Sequence, residues 1–170
     1  MLRAISHDLR TPLTSISGNA RAHSPRMDSR ILFSNGSRGI SVESKEEILL
    51  AKMDAKLIVQ VIINIVDNAI QYTPKNSHIV IRTEKRGKQA IVSISDDGNG
   101  IADEIKPRIF DMFYSGANQI ADSRRSLGLG LSLCKSIINA HGGELTVSDN
   151  LPHGTVFTFT LPAGEVKVYE

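Results

Sequence analysis

The sequence contains no tryptophan and a single cysteine, Cys134, among its 170 residues. One cysteine excludes an internal disulfide and a CxxC metal site. Aromatic residues make up only 5 % of the chain, so isoleucine, leucine and valine must form the core. No apolar run approaches the roughly 18–20 residues that span a bilayer, and the first ten residues lack the apolar segment of a signal peptide. These absences favour a cytoplasmic protein whose chain makes no direct membrane contact.

The chain also lacks a strong excess of either charge. Its formal net charge is +2, with 22 % charged and 41 % hydrophobic residues. This composition is ordinary for a soluble globular protein, and the charge is too small to indicate nucleic-acid binding. We therefore expect no nucleic-acid partner.

Three zones follow one another along the sequence. Residues 1–19 predict a helix, because apolar residues recur every three to four positions. Residues 20–47 are rich in Ser, Arg and Gly without a lasting apolar period, which predicts a disordered linker. Residues 48–170 predict a compact α/β domain. The apolar stripe of the first zone comprises Leu2, Ile5, Leu9, Leu13 and Ile16.

The third zone alternates helical and strand patterns. "DAKLIVQVIINIVDNAIQY" predicts a helix that ends before Pro74. "HIVIRTEKRGKQAIVSIS" predicts two strands joined around Gly87. "GLGLSLCKSIINAHGG" predicts a second helix, and "ELTVSD" and "GTVFTFTLP" predict two more strands. Strands paired by short turns with helices on one face form a two-layer α/β sandwich. The predicted sheet is mixed and mainly antiparallel, and a short helix precedes it.

The first helix of this domain carries a narrow polar stripe among apolar residues. One interpretation is a mostly buried helix with one solvated edge. The other is that the stripe faces a polar ligand, because buried amides need partners. Asn64 and Asn68 lie one turn apart, so both can point into the same cavity. The stripe comprises Gln60, Asn64, Asp67, Asn68 and Gln71.

A D-x-G-x-G pattern directly follows the second predicted strand, at Asp96, Gly98 and Gly100. Glycine allows positive φ and close approach of the backbone to a ligand, and a carboxylate at a strand end can accept a hydrogen bond from an exocyclic amine. The alternative interpretation is an ordinary turn, in which "DDG" and "NG" are common.

A second glycine pattern, "RRSLGLGLSL", stands at the beginning of the second helix. The N–H groups at a helix N-terminus suit phosphate, although an ordinary flexible loop before a helix is the alternative. The pattern matches neither the P-loop nor the Rossmann order. Its candidate phosphate-side residues are Arg124, Arg125, Gly128 and Gly130.

Taken in order, these motifs resemble one family. The order is N-x-x-x-N, D-x-G-x-G, F-x-x-F at Phe110 and Phe113, G-x-G, and Gly154–Thr155. The set is similar to the catalytic ATP-binding domain of sensor histidine kinases, gyrase-type topoisomerases and Hsp90 chaperones. The resemblance implies a Bergerat-type ATP-binding fold and the cofactors ATP and Mg²⁺.

The resemblance also implies roles for individual residues. Asn68 corresponds to the residue that holds Mg²⁺, Asn64 to its phosphate-side neighbour, and Asp96 to the carboxylate that accepts from the adenine amine. Gln71 departs from the lysine that many sensor kinases carry there, and Arg124 or Arg125 would compensate. The remaining residues with implied binding roles are Tyr72, Gly98, Gly100, Gly128, Gly130 and Thr155.

Residues 6–14, "SHDLRTPLT", resemble the phosphoacceptor box of sensor histidine kinases. The resemblance implies that His7 accepts the phosphoryl group, that Asp8 acts as its general base, and that Thr11 occupies the position linked to phosphatase activity. Gyrase-type and Hsp90-type relatives carry a glutamate where this chain has Asn64. An amide cannot act as a general base, so Asn64 argues against ATP hydrolysis as the purpose of the site.

The family likeness implies a homodimer and a response-regulator partner, and its details are similar to potassium-responsive sensor kinases. However, the second hairpin helix of such kinases has no counterpart between residues 19 and 48. Two functions therefore stay open: a histidine kinase that uses His7, and an ATP-binding module that no longer phosphorylates itself. An ATPase or an anti-sigma-type serine kinase is disfavoured by Asn64 and by the histidine box.

Overall fold

A computed structural model of the protein describes residues 2–5, 8, 19–22, 29–35, 38–45, 49–112 and 130–165. These residues include two helices, one 3₁₀ turn and nine strands, and Ile5 and Asp8 are also helical. The helices are α1 (Ala55–Tyr72) and α2 (Gly130–Ala140), and the 3₁₀ turn is Lys106–Arg108. The strands are β1 (Leu2–Ala4), β2 (Asn19–Ala22), β3 (Ser29–Asn35), β4 (Arg38–Ser44), β5 (Leu50–Lys52), β6 (His78–Arg86), β7 (Gln89–Asp96), β8 (Leu145–Asp149) and β9 (Thr155–Pro162).

Seven of the strands form one mixed sheet in the order β2-β3-β4-β6-β7-β9-β8. Only the β4–β6 pair of this sheet is parallel, and the other five pairs are antiparallel. Helix α1 contacts α2 and β7, while α2 contacts β8 and β9. The predicted two-layer α/β sandwich with a mainly antiparallel sheet is therefore confirmed.

Alternation along the central strands supplies the sheet side of the core. On β7 the side chains of Ala90, Val92 and Ile94 are buried, and the residues between them are half-buried. Period-two burial of this kind places one face of a strand against the helical layer. Helix α1 supplies the opposite surface through Ile58, Val61, Ile62, Ile65, Val66 and Ala69.

Helix α1 begins and ends where its sequence predicts. The carboxylate of Asp54 accepts hydrogen bonds from the amides of Lys56 (3.0 Å) and Leu57 (3.2 Å), which satisfies two of the unpaired N–H groups at the helix start. Thr73 caps the other end in an extended conformation. Pro74 follows, and a residue before proline is restricted to extended conformations.

The structure contradicts the prediction that all of residues 1–19 are helical. Residues Leu2–Ala4 form β1, which pairs antiparallel with β5 in a separate two-stranded sheet. The amide of Ile5 then donates to the carbonyl of Leu49 (3.1 Å), and the Ile5 side chain is buried in the core. Backbone pairing thus outweighs the local helical pattern at Leu2–Ala4, whereas Ile5 and Asp8 are helical. The candidate residues His7 and Thr11 lie outside the described residues.

The prediction of a structureless linker over residues 20–47 is wrong for its described part. Strands β3 and β4 pair along their whole length, and β4 joins β6 in the main sheet. The signal for β4 is short: Ile40 and Val42 alternate with small polar residues, and both side chains are buried. The layered unit therefore begins before residue 48. The separate acceptor-helix domain stays a prediction.

Candidate nucleotide-binding site

Asp96 lies at the end of β7 with its side chain buried. Its Oδ1 accepts hydrogen bonds from the amides of Gly98 (2.9 Å) and Thr155 (3.3 Å). These two amides fix the orientation of the carboxylate. Because both bonds end on Oδ1, the second oxygen retains its lone pairs for a donor on a ligand. The structure thus brings together three of the predicted site residues.

Burial raises the pKa of Asp96, and the amide hydrogen bonds from Gly98 and Thr155 oppose this effect by favouring the charged form. A buried carboxylate with a raised pKa and a vacant acceptor position is typical of a functional site rather than of a surface ion pair.

The turn that precedes β9 closes on the backbone of Asp96. The side-chain amide of Asn150 donates to the Asp96 carbonyl (2.7 Å). Gly154 has φ of 122°, and a Cβ at this position would lie 1.9 Å from the same carbonyl oxygen. Only glycine fits there. Sequence analysis missed Asn150, because its role depends on a contact between residues 54 positions apart.

The two glycines of the D-x-G-x-G pattern serve different purposes. Gly100 has φ of +78°, in the left-handed region that favours glycine. The φ angle of Gly98 is not positive. Here glycine is needed for space, because a Cβ at this position would lie 2.7 Å from the Cγ2 atom of Thr73. Gly98 therefore permits close packing between the Asp96 loop and the end of α1.

The polar stripe of α1 is partly enclosed. Asn64 and Asn68 are both half-buried. The Gln60 amide donates to Asn64 Oδ1 (3.0 Å), and Asn64 Nδ2 donates to the sulfur of Cys134 on α2 (3.6 Å). These contacts orient the Asn64 amide. Tyr72 is 55 % exposed, so it is available to a ligand.

Gln71 is exposed and is engaged within the protein. Cys134 is a core residue, and burial raises the pKa of its thiol to about 11. That thiol is therefore protonated and shielded at neutral pH.

Several candidates fall partly or wholly outside this arrangement. Gly130 is described as the first residue of α2. Phe110 packs edge-on against Phe157, with ring centroids 6.2 Å apart. Asp8 is half-buried, and its Oδ1 lies 4.0 Å from a guanidinium nitrogen of Arg3. The predicted residues Phe113, Arg124, Arg125 and Gly128 lie outside the described residues.

The side chains present fit ATP with Mg²⁺. Mg²⁺ prefers oxygen ligands and usually binds proteins through one or two side chains together with substrate phosphates. The half-buried amide of Asn68 offers such an oxygen. Among residues 49–112, 130–165 and the shorter described stretches, no group of three or more His, Cys, Asp and Glu could hold a metal alone.

An open cleft of about 830 Å³ lies at the other end of the helices, beside Asp54 and His141. The Nε2 atom of His141 accepts from the Asp54 amide (3.0 Å), so Nδ1 carries the proton and donates to the Ile137 carbonyl (2.7 Å). Both ring nitrogens thus bind backbone. This histidine is structural, and the cleft contains none of the candidate nucleotide ligands.

The raised pKa of Asp96 predicts a pH dependence of nucleotide affinity. Affinity should fall as the pH decreases through this pKa, because protonation removes the charged acceptor. The decrease should begin at a higher pH than for an ordinary aspartate. Titrations with ATP at a series of pH values measure it. Asp96→Asn should abolish this dependence, and a wild-type affinity that stays constant over the same pH range would contradict the assignment.

Protein stability should not follow the same course. A carboxyl group whose folded-state pKa is raised contributes stability that is fully present below its unfolded pKa and lost as the pH rises through the folded pKa. Acidification therefore removes no stability through Asp96. Thermal unfolding at each pH separates a loss of binding from a loss of structure.

Comparison with known families gives a consistent result. The family model described as histidine kinase-, DNA gyrase B-, and HSP90-like ATPase matches residues 53–165. The model of the His Kinase A phospho-acceptor domain matches residues 1–38. Neither described helix has the length and apolarity needed to cross a membrane.

The sensor protein KdpD of Clostridium acetobutylicum is 43 % identical over 123 residues. This match covers 72 % of the present chain and 14 % of KdpD, so the chain spans about a seventh of that relative. In fold, the catalytic domain of histidine kinase ThkA, solved without nucleotide, gives a TM-score of 0.74 at 28 % identity, covering 95 % of this chain and 94 % of the other.

A second ThkA structure contains the kinase in complex with the response regulator protein TrrA. It gives a TM-score of 0.60 at 35 % identity, covering 72 % of this chain and 33 % of that one. The buried Asp96, the glycine-lined loop and the half-buried asparagines thus occur in a fold shared with kinases of this type. The chain belongs to the family of histidine kinase-, DNA gyrase B- and HSP90-like ATPases, and within it to the bacterial sensor histidine kinases.

Proposed function

We propose that the chain binds ATP with Mg²⁺ between the polar stripe of α1 and the Asp96 loop, and that it transfers the γ-phosphoryl group to His7. The observation that carries this proposal is the buried Asp96 carboxylate, held by two backbone amides with one oxygen left for a ligand. Such an acceptor selects an amine donor, which adenine has at its exocyclic position and guanine lacks at the equivalent position. ATP is the nucleotide bound by this family.

Asn64 and Asn68 fit the phosphate end of the same ligand. Mg²⁺, when bound, would neutralise charge on the phosphates, and the Asn68 amide oxygen would help hold it. Asn64 has no basic oxygen, so it cannot activate water. The site therefore supports transfer to a nucleophile rather than hydrolysis.

His7 supplies the nucleophile in this proposal. A neutral imidazole is a competent nucleophile near pH 7, and the neighbouring Asp8 would take its proton. Thr11 occupies the position that the family resemblance links to a separate phosphatase activity, in which water is the acceptor. The match of residues 1–38 to the phospho-acceptor domain supports this assignment.

The position of β1 bears on how His7 reaches ATP. Strand β9 starts at Thr155, beside Asp96, and Ala163 just beyond its end bridges to Ala51 on β5. Thr155 and Ala163 are eight residues apart, so a rise of about 3.3 Å per residue places them about 26 Å from each other. Since β5 is antiparallel to both β9 and β1, β1 runs away from Asp96.

This anchoring limits the movement of the acceptor, because His7 follows Ile5 by two residues and its Cα stays within about 7 Å of the Ile5 Cα. The phosphate end of the proposed site, at Asn64 and Asn68, lies earlier on α1 than Thr73, which contacts the Asp96 loop, and is therefore nearer to β5 than Asp96 is. The acceptor then serves its own chain or a second copy in a homodimer. The second candidate function is an ATP-binding module that no longer phosphorylates itself, because the second hairpin helix has no counterpart between residues 19 and 48.

A response regulator is the proposed partner downstream. The complex of ThkA with TrrA supports an aspartate-bearing partner of this class. The similarity to KdpD supports potassium or osmotic signalling through a KdpE-like regulator. A full-length relative would be anchored in the inner membrane, and the residues that correspond to this chain would lie in the cytoplasm.

Incubation with γ-labelled ATP and Mg²⁺ tests the proposal. Phosphohistidine is labile in acid and stable in alkali, so label with this behaviour should form on the wild type and disappear in both His7→Ala and Asn68→Ala. If the label is lost in Asn68→Ala but retained in His7→Ala, a residue other than His7 accepts the phosphoryl group. ATP binding without any label would establish the uncoupled module.

A further inference from the structure

Thr73 joins the end of α1 to three other parts of the fold. Its side chain is buried, and its hydroxyl donates to the Ala69 carbonyl (2.6 Å) while accepting from the hydroxyl of Ser77 (2.8 Å). Its carbonyl accepts from a terminal guanidinium nitrogen of Arg38 on β4 (2.8 Å). These bonds fix the side-chain rotamer. Because the hydroxyl is held toward Ala69 and Ser77, the methyl group occupies a different staggered position about the Cα–Cβ bond.

The methyl group of Thr73 faces the Asp96 loop. A Cβ at Gly98 would lie 2.7 Å from Thr73 Cγ2, closer than real Cβ contacts. The Gly98 amide in turn donates to the Asp96 carboxylate. The methyl group of Thr73 therefore limits how closely the Asp96 loop approaches α1. Because this loop carries the Asp96 carboxylate, the same contact limits the position of the carboxylate.

We propose that Thr73, held by Arg38, is a positioning residue that sets the place of the Asp96 carboxylate relative to α1 and so determines the preference for adenine. This inference rests on the proposed function. Thr73 need not touch the nucleotide. It acts through Gly98 and Asp96. Because Arg38 lies on β4, outside the segment that matches the ATPase family model, this strand also helps to position the Asp96 carboxylate.

The hydroxyl and the methyl group have separable roles. Thr73→Val keeps the shape but loses the hydroxyl bonds to Ala69 and Ser77, so it should lower the unfolding temperature and leave the ratio of ATP to GTP affinity unchanged. Thr73→Ser keeps the hydroxyl and removes the methyl group, so it should lower that ratio severalfold while the cap remains.

A double substitution tests the contact itself. Gly98→Ala places a methyl group against Thr73 and should weaken ATP binding on the order of tenfold or more, since overpacking of a tight contact displaces the backbone. In the Thr73→Ser background the same substitution should cost clearly less ATP affinity than in the wild type, because the atom 2.7 Å away is gone and only the contact of 3.1 Å with Asp96 Oδ1 remains close. Arg38→Ala should lower the affinity ratio and Arg38→Lys should restore it partly.

Thr83→Ser is the matched control. Thr83 is also a buried threonine whose hydroxyl is hydrogen-bonded to a serine, since it donates to the hydroxyl of Ser44, but it lies in the middle of β6. Its substitution should cost similar stability without changing the ratio of ATP to GTP affinity. Fluorescence titration with ATP and GTP, with thermal unfolding of each variant, provides both measurements.

The outcomes separate the two proposals. Rescue of Gly98→Ala by Thr73→Ser, with an affinity ratio that is lowered in Thr73→Ser and Arg38→Ala but unchanged in Thr73→Val and Thr83→Ser, supports the positioning role. Binding of ATP by the wild type without such rescue overturns that role and leaves the proposed function intact. A wild type that binds neither nucleotide overturns both.

Discussion

Asp96→Asn should lower the affinity for ATP by about 100-fold, because hydrogen bonds to charged groups contribute about 1.5–3 kcal/mol each. The fold should persist. An amide oxygen can still accept from Gly98 and Thr155, and burial already disfavours the charged carboxylate. The substitution is therefore expected to weaken ATP binding and to leave the stability of the fold largely unchanged. Calorimetric titration with ATP, together with thermal unfolding, measures both effects.

Asp97→Asn provides the control next to Asp96. Its carboxylate carries the same charge but accepts from the amide of His78 (2.8 Å) on the neighbouring strand. Only a small change in ATP affinity is expected. Equal losses for the two substitutions would show that net charge, and not the buried acceptor, governs binding.

Gly154→Ala should be among the most destabilising single substitutions in the protein. The new Cβ would lie 1.9 Å from the carbonyl oxygen and 2.8 Å from the carbonyl carbon of Asp96. Neither backbone atom can move without displacing β7 or β9. Strain and overpacking of this kind cost several kcal/mol, so we expect a large fall in the free energy of unfolding and no measurable ATP binding.

Gly87→Ala distinguishes the cost of a steric clash from the cost of placing alanine in a positive-φ backbone conformation. Gly87 also has positive φ, +57°, yet no atom lies within 4 Å of the position that an added Cβ would occupy. This substitution should cost only about 1–2 kcal/mol and leave nucleotide binding intact. Denaturant unfolding of both variants gives the comparison. Similar losses at the two positions would mean that the approach of Gly154 to Asp96 is not the cause.

The hairpin and helix elements of the third zone were predictable because their signals are local. The helix from Ala55 to Tyr72 has a capping aspartate, an apolar face and a following proline. Strands β6 and β7 alternate on both sides of Gly87. In each case one short segment carries both the pattern and its limits, so the sequence needs no tertiary information to specify the element.

The errors arise where a partner distant in sequence decides the structure. Leu2–Ala4 fit a helical stripe, but the edge of β5 offers backbone hydrogen bonds to them, and the helical conformation is observed only from Ile5 onward, at Ile5 and Asp8. In β4 the alternating Ile40 and Val42 stand among serines and an arginine, so composition obscured a strand that pairs with the distant β6.

The candidate site shows the same division. Asp96, Gly98 and Thr155 were predicted from motifs, and the structure brings them together. The contributions of Asn150 and Thr73 were missed, because an asparagine in a turn and a threonine before a proline are common in any protein. Their importance comes from what they touch: the carbonyl of Asp96 and the surface of Gly98.

Equilibrium titration of the protein with ATP and with GTP, each with and without Mg²⁺, tests the central claim most directly. The Asp96 acceptor and the α1 asparagines predict that ATP binds at least about tenfold more tightly than GTP, and that Mg²⁺ strengthens ATP binding in the wild type but not in Asn68→Ala. Equal affinity for the two nucleotides, or Mg²⁺ enhancement that survives Asn68→Ala, would contradict the assignment of this site.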